Sequence, residues 1–243
     1  MPLFSSPPAV PPAIELYGMA SPNVRKITIM LEELGLAYAF RHVAVFRAGQ
    51  FEADFLALNP NGKVPVLVDH TTPGQPPVVR FESAAILIYL AERHGQLLAP
   101  AEPDRGAVLQ WLMIQACNVG PMLGQLNHFQ FAARDGNDYA YDRYRNEAER
   151  LYRLIDQRLA AHAHLAGDTY SIADIATFPW MAYLEKHGFG AGDFPHLCAW
   201  RDRIGARAAV QRGLAAIHEA EAIDAEALRT ASASDMDRFF GRR

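Results

Sequence analysis

Apolar and polar residues keep one rhythm up to about residue 95 and a different one after it. In the first stretch, short β-rich runs alternate with helical ones. A strand is expected over 14–17, Ile-Glu-Leu-Tyr, followed by a helix over 22–34. Pro22 suits the first helical turn and Gly35 the C-terminal stop. A second strand is expected over 38–45, then a short helix around 51–58 that ends before Pro60. The run 64–68 is compact and β-branched. Beyond it the Pro/Gly-rich turn 72–77 leads into 78–81 as a hairpin. A third helix opens at Glu82-Ser83 and carries Ile86, Leu87 and Leu90 on one face until Gly95. The order βαβ, α, ββα is that of a thioredoxin-like α/β domain.

Everything later reads as helix. Residues 105–131 and 139–163 form two long amphipathic stretches around Asp135-Gly136-Asn137. A shorter buried helix starts at Ser171, and another follows Pro195. The expected organisation is a flexible Pro-rich leader over 1–13, the thioredoxin-like domain over 14–95 and a linker over 96–102. An all-helical domain over 103–218 and a weakly patterned tail over 219–243 complete it. The fold class is therefore α/β plus all-α, and 243 residues accommodate two modest domains.

Composition adds exclusions. A net charge of -4 without a basic stripe argues against nucleic acid and anionic lipid as partners. No apolar run reaches the ~18–20 residues that span a bilayer, so no membrane partner is expected. The leader is broken by prolines and has no basic residue before Arg25, which fits neither a secretory signal nor a transit peptide. Cys117 and Cys198 lie far apart and read as small core residues of a reduced, cytoplasmic protein rather than a disulfide pair. His162 and His164 have no metal-ligand company, and no metal is expected.

Three segments carry candidate chemistry. Ser21-Pro22-Asn23 stands where a strand hands over to a helix, so a hydroxyl and an amide meet orphan backbone N–H groups. Such a place favours an anion, a sulfur anion among them. Thioredoxin-like redox proteins usually carry Cys-x-x-Cys here, yet this chain has no cysteine before Cys117. If thiol chemistry occurs, the thiol arrives with a small molecule. In Asn59-Pro60-Asn61-Gly62-Lys63-Val64-Pro65, the proline interrupts a good strand. That fits an edge or a cis Val64–Pro65 bond, which offers the Val64 backbone to a peptide-like ligand; a plain turn is the alternative. At Glu82-Ser83, Ser83 is either a routine cap or, with Glu82, the holder of an α-amino-acid end: carboxylate to Ser83, ammonium to Glu82.

Together these segments resemble the N-terminal domain of cytosolic glutathione transferases, with Phe81-Glu82-Ser83-Ala84-Ala85-Ile86-Leu87-Ile88-Tyr89-Leu90 as the third carrier. The helical half adds Ala166-Gly167-Asp168-Thr169-Tyr170-Ser171-Ile172-Ala173-Asp174-Ile175. There Ser171 and Asp174 form a capping box with a structural role. Gln110-Trp111-Leu112, Gly120-Pro121-Met122-Leu123-Gly124-Gln125 and His128-Phe129 look like the bacterial Nu class and its disulfide-bond reductases. The glutathione-binding domain of the yeast nitrogen-regulator prion protein is similar. The resemblance implies a Thr-Pro-Asn turn in place of a catalytic Tyr, Ser or Cys, and two glutathiones or one glutathione disulfide per site. It implies catalytic roles for Ser21 and Asn23, a first glutathione site of Asn23, Gln50, Lys63, Val64, Pro65, Glu82 and Ser83, and Arg143 at the second. Met122, Gln125, His128 and Phe129 are the expected second-substrate pocket, although a histidine on an amphipathic helix also has a plain structural reading. Ser21 stands where the class usually has threonine, and Val24 replaces a common glycine. The family also implies a homodimer.

The implied chemistry is simple. Hydrogen bonds from Ser21 and Asn23, with the helix N-terminus, favour the glutathione thiolate. Lowering the thiol pKa by about 2 takes about 2.7 kcal/mol, within reach of two hydrogen bonds to a charged group. The thiolate attacks a disulfide or an electrophilic carbon, with organic hydroperoxides as a further substrate class. A glutathione-binding regulatory or interaction protein with little turnover is the alternative. A dehalogenase or ring isomerase fits less well, because the serine- or cysteine-rich turn of those classes is absent.

Overall fold

The computed structural model describes residues 13–241. The leader read over 1–13 lies outside the described residues except for Ala13, as do the tail's last two residues. The chain divides into two compact units, one running to Ile86 and resuming at Ala209, the other Leu87–Ala208.

In the first unit the elements are β1 (Ile14–Gly18), α1 (Pro22–Glu33), β2 (Ala39–His42), α2 (Ala53–Leu58), β3 (Val66–Asp69) and β4 (Val78–Phe81), with α3 (Ser83–His94) beginning there. The sheet order is β2-β1-β3-β4, with β1 and β2 parallel and the other two pairings antiparallel. Ile14 and Leu16 of β1 are buried while Glu15 and Tyr17 are half-buried, the alternation expected of a strand with one covered face. All four residues of β3 are buried. This strand starts at Val66 rather than residue 64, because Pro65 brings no N–H to the ladder. The hairpin of β3 with β4 pairs Val66 with Phe81 and Asp69 with Val78.

α9 (Ala208–Ala215) closes on α1, and Thr28 Oγ1 donates to Gly213 O at 2.7 Å. A Cβ on Gly213 would lie 2.7 Å from Ile29 Cα, so the two backbones meet this closely only at glycine. The tail, expected to be weakly patterned, instead forms α10 (His218–Arg229) and α11 (Ala233–Phe240). Its anchors are scattered: Glu221 pairs with Arg25, Asp224 accepts from the Ala20 N–H at 2.7 Å, Arg47 reaches Thr230 O at 3.0 Å, and Phe239 packs on Phe46 with ring centroids 4.9 Å apart. Only Ala220 and Asp224 of α10 are buried, which leaves too faint an apolar stripe for the periodicity to register.

In the second unit, α4 (Asp104–Ile114) and α5 (Gly120–Asn127) belong to one continuous helical stretch, interrupted by π turns at Gln115–Val119 and His128–Ala132. α6 (Asp138–Ala161) follows, then α7 (Ile172–Thr177), which passes into a 3₁₀ segment, Phe178–Tyr183, and α8 (Pro195–Gly205). Leu112, Leu123, Leu151, Tyr152, Ile175 and Trp200 fill its core. Cys117, expected inside, is exposed. Gln115 and Val119 point inward in line with Leu112 and Leu123, and Cys117 lies on the outer side between them. Cys198 is half-buried, with Sγ 3.7 Å from Ala191 O, and both thiols are free. Among the described residues no helix is long and apolar enough to cross a membrane.

Candidate active site

Ser21 is the N-cap of α1. Its backbone is extended, and Val24 N–H donates to its Oγ at 3.4 Å, a long bond. Pro22 occupies the first helical position and brings no N–H, and the first turn contains no acidic residue. The helix start thus carries positive potential with no carboxylate of its own. Val24 is fully buried against β1: a Cβ on Gly18 would lie 2.7 Å from Val24 Cγ1. The valine in place of a class glycine therefore packs over the strand at a position where Gly18 makes room.

The loop before β3 is built by Asn59. Its side-chain oxygen accepts from Asn61 N–H at 3.0 Å, its Nδ2 donates to Lys63 O at 2.7 Å, and its carbonyl accepts from Gly62 N–H at 2.9 Å. Buried Asn59 thereby shapes the loop around itself. The Val64–Pro65 bond is cis. Gly62 adopts φ +60 and sits against the turn that holds Gln50: a Cβ there would lie 3.4 Å from Gln50 O. Gln50 is buried, and its Oε1 has no hydrogen-bond partner. A buried amide oxygen in that state calls for a donor.

The loop also reaches the third segment, Asn61 Nδ2 to Glu82 Oε1 at 3.4 Å. Glu82 is exposed and holds φ +67, a left-handed conformation unusual for a non-glycine residue. Ser83 follows it at the start of α3 and accepts from Lys26 Nζ at 3.2 Å. Asn23, Gln50, Lys63, Val64, Pro65, Glu82 and Ser83 are thus carried by α1, one loop and two turns joined by these contacts.

Two neighbours of this region escaped the sequence reading. Lys26 is 2 % exposed, and burial draws its pKa down to about 7 against the opposing pull of Glu82. A lysine amid the apolar residues of α1 was a legible signal. Asp224 is the other: besides Ala20 N–H it contacts His42 Nε2 at 2.8 Å. It arrives from the tail, where nothing in the pattern marked it.

In the second unit Met122 and Arg143 line an open cleft of about 750 Å³ with Tyr139, Asp142, Tyr144 and Glu147. Arg150 makes two hydrogen bonds to Glu147, at 2.9 and 2.6 Å, which with the Arg150 and Arg143 charges hold the Glu147 carboxyl below its usual range. Phe129 stacks on Tyr144 with ring centroids 5.6 Å apart, and His128 meets Phe129 edge-on at 5.1 Å. Gln125 is exposed and is not among the lining residues of this cleft. Among the described residues, no group of three or more His, Cys, Asp or Glu side chains is placed to hold a metal ion.

Comparison with known proteins identifies the family. Residues 20–93 match the glutathione S-transferase N-terminal domain and residues 119–208 the C-terminal domain. The disulfide-bond oxidoreductase YfcG of Escherichia coli is 42% identical over 202 residues, covering 83% of this chain and 94% of that protein. The disulfide-bond oxidoreductase YghU of the same organism is 38% identical, covering 82% and 73%. A glutathione transferase family member from Pseudomonas fluorescens, solved with two glutathiones bound, superposes with a TM-score of 0.80 at 41% identity over 86% of this chain and 95% of its own. A glutathione transferase from Pseudomonas putida, with one glutathione disulfide per subunit, gives 0.79 at 40% identity over 86% and 93%. With both family domains matched in order and relatives this similar over 73% to 95% of their own length, the chain belongs to the glutathione S-transferase family.

Proposed function

We propose that this protein is a glutathione-dependent disulfide-bond reductase with glutathione transferase chemistry alongside, and that its reactive thiol is borrowed from glutathione. The observation that carries the reading is the start of α1: a serine cap and an asparagine at a helix N-terminus without a carboxylate of its own. The relatives named as disulfide-bond oxidoreductases, and the neighbours holding glutathione or its disulfide, support it.

In this reading Ser21 Oγ and Asn23 donate to the glutathione sulfur, and the thiolate is favoured over the thiol. Glu82 receives the ligand's ammonium and Ser83 its carboxylate. The Val64 backbone pairs with the peptide portion, and Gln50 Oε1 gains the donor it lacks, with Lys63 nearby. The thiolate attacks one sulfur of a substrate disulfide. A mixed disulfide forms and the other sulfur leaves as thiolate. A second glutathione, held by Arg143, attacks the mixed disulfide. Glutathione disulfide forms and the substrate's second thiol is released. Two electrons pass from two glutathiones to one disulfide.

A cytoplasmic location fits, since the glutathione pool there keeps thiols reduced. A homodimer is part of the proposal. Phe51 and Phe81 in one unit, and Phe131 and Tyr139 in the other, are large exposed apolar side chains of the kind a partner covers.

The test is a coupled assay of glutathione-dependent reduction of a small disulfide, wild type beside Asn23→Ala. Wild-type turnover that falls about tenfold or more in the variant, with melting unchanged, is expected for loss of one hydrogen bond to a charged sulfur. No turnover in either, with glutathione still bound, would instead indicate an electrophile-conjugating enzyme or a non-catalytic glutathione-binding protein.

A further inference from the structure

We propose that Lys26 is a positioning residue for the anionic end of the ligand: by donating to Ser83 Oγ, its ammonium turns the Ser83 hydroxyl proton outward, towards the carboxylate that Ser83 receives. The inference rests on the reading of Ser83 given above and adds the group that orients it.

The argument begins with the hydroxyl, which has one proton to give and lone pairs to receive. Lys26 Nζ lies 3.2 Å from Ser83 Oγ. As an ammonium it can only donate, so the Ser83 proton remains free for a ligand oxygen. As a neutral amine it can accept, and Ser83 is then able to turn its proton inward and present a lone pair to the ligand carboxylate. The first arrangement attracts a carboxylate and the second repels it. Lys26 is almost wholly buried, so its charge acts on this turn with little screening by water.

Its protonation is also poised. Burial lowers the pKa to about 7, and the charged group that opposes this is Glu82, on the turn immediately before Ser83. A carboxylate held by Ser83 adds negative charge beside the ammonium and raises its pKa. The ligand's own ammonium at Glu82 opposes this in part, and the carboxylate on the group that Lys26 itself touches sets the sign. Ligand binding and protonation of Lys26 therefore favour each other. Affinity is greatest below the pKa of the free protein and declines as pH rises from there towards that of the complex.

Titration calorimetry with S-methylglutathione on the full chain tests this. The ligand keeps both carboxylates and the ammonium but has no ionisable thiol. In two buffers of different ionisation heat at pH 7, wild type should take up about half a proton per ligand, and affinity should fall several-fold between pH 6 and 8.5. Lys26→Arg, charged throughout, should bind well with that uptake and pH dependence gone. Lys26→Met should bind about tenfold more weakly at pH 6, again without the uptake. The ligand's ammonium contributes alike in every variant, so the difference from wild type reports Lys26. If Lys26→Met does not fold, Lys26→Arg carries the comparison. Wild-type binding with the same proton uptake as Lys26→Arg overturns the inference and leaves the Ser83 reading standing. Unchanged binding by Ser83→Ala, or no binding by wild type, removes the underlying reading and the inference with it.

Discussion

Two of the helices that begin at a serine treat their exposed backbone N–H groups in opposite ways. At α7 Ser171 caps the helix and Asp174 completes the box, its Oδ2 accepting from Ser171 N–H at 3.1 Å. The other oxygen of Asp174 accepts from Leu165 N–H at 3.1 Å and from Trp200 Nε1 at 3.0 Å. This helix start has its own anion, fully buried and surrounded by donors. At α1 the corresponding position three residues after Ser21 is Val24, and the first turn has no acidic residue. The same capping serine thus closes a core in one unit and leaves room for a visiting anion in the other. A Ser-x-x-Asp start is complete without a ligand, whereas a Ser-Pro-Asn start is not.

The largest effect should come from removing the built-in anion. Asp174→Ala leaves the Leu165, Ser171 and Trp200 donors buried without their acceptor and should cost roughly 3–5 kcal/mol, seen in denaturant unfolding. Melting close to wild type would mean that the box is not what holds this unit together. The converse experiment puts a carboxylate on the cap of α1 itself, where Asp224 reaches only the preceding Ala20 N–H. Ser21→Asp caps α1 with a carboxylate and should stabilise it by about 0.3–1 kcal/mol. By displacing the glutathione thiolate it should also lower disulfide reductase turnover about 100-fold, the equivalent of the roughly 2.7 kcal/mol assigned to thiolate stabilisation. A variant that keeps full turnover would show that the thiolate does not sit at this helix start.

The contrast between the two starts was largely legible in the sequence, because both are local patterns of four residues at a strand or loop boundary. The sheet was legible for the same reason: β1, α1 and β4 follow alternation, Pro22, Gly35 and the turn before Val78. What was not legible depends on partners distant in the chain. Asp224 meets Ala20 across 204 residues, and α10 buries one alanine and one aspartate where a helix usually shows a stripe of larger apolar side chains. Cys117 was misread from its apolar neighbours: the buried Leu112, Gln115, Val119 and Leu123 recur three or four residues apart, and that spacing leaves Cys117 on the outer face. Lys26 was overlooked for a different reason. A lysine on a helix is ordinarily solvated, and that habit outweighed the apolar neighbours in α1 that signalled its burial beside Ser83.

A third serine start separates the capping pattern from its burial. Ser232 and Asp235 repeat the box at α11: Asp235 N–H donates to Ser232 Oγ at 3.1 Å and Ser232 N–H to Asp235 Oδ2 at 3.2 Å. Here the pair faces water, and Arg47 approaches the same carboxylate at 3.3 Å. The hydrogen bonds from Ser232, then Arg47, hold the Asp235 carboxyl below its usual range. A carboxyl whose pKa is depressed by folding contributes above its unfolded value of about 4, and that contribution is lost as pH falls through the folded one. Ser232→Ala should therefore leave the melting temperature nearly unchanged and show itself as faster amide exchange confined to α11. Acidifying the wild type from pH 7 to below 4 should loosen the same helix, with the intrinsic exchange rate corrected for pH. If Ser232→Ala instead lowered the melting temperature as much as Asp174→Ala, the pattern alone would set the strength of the cap. The expected disparity follows because water replaces the lost partners of Ser232, whereas nothing replaces those of Asp174.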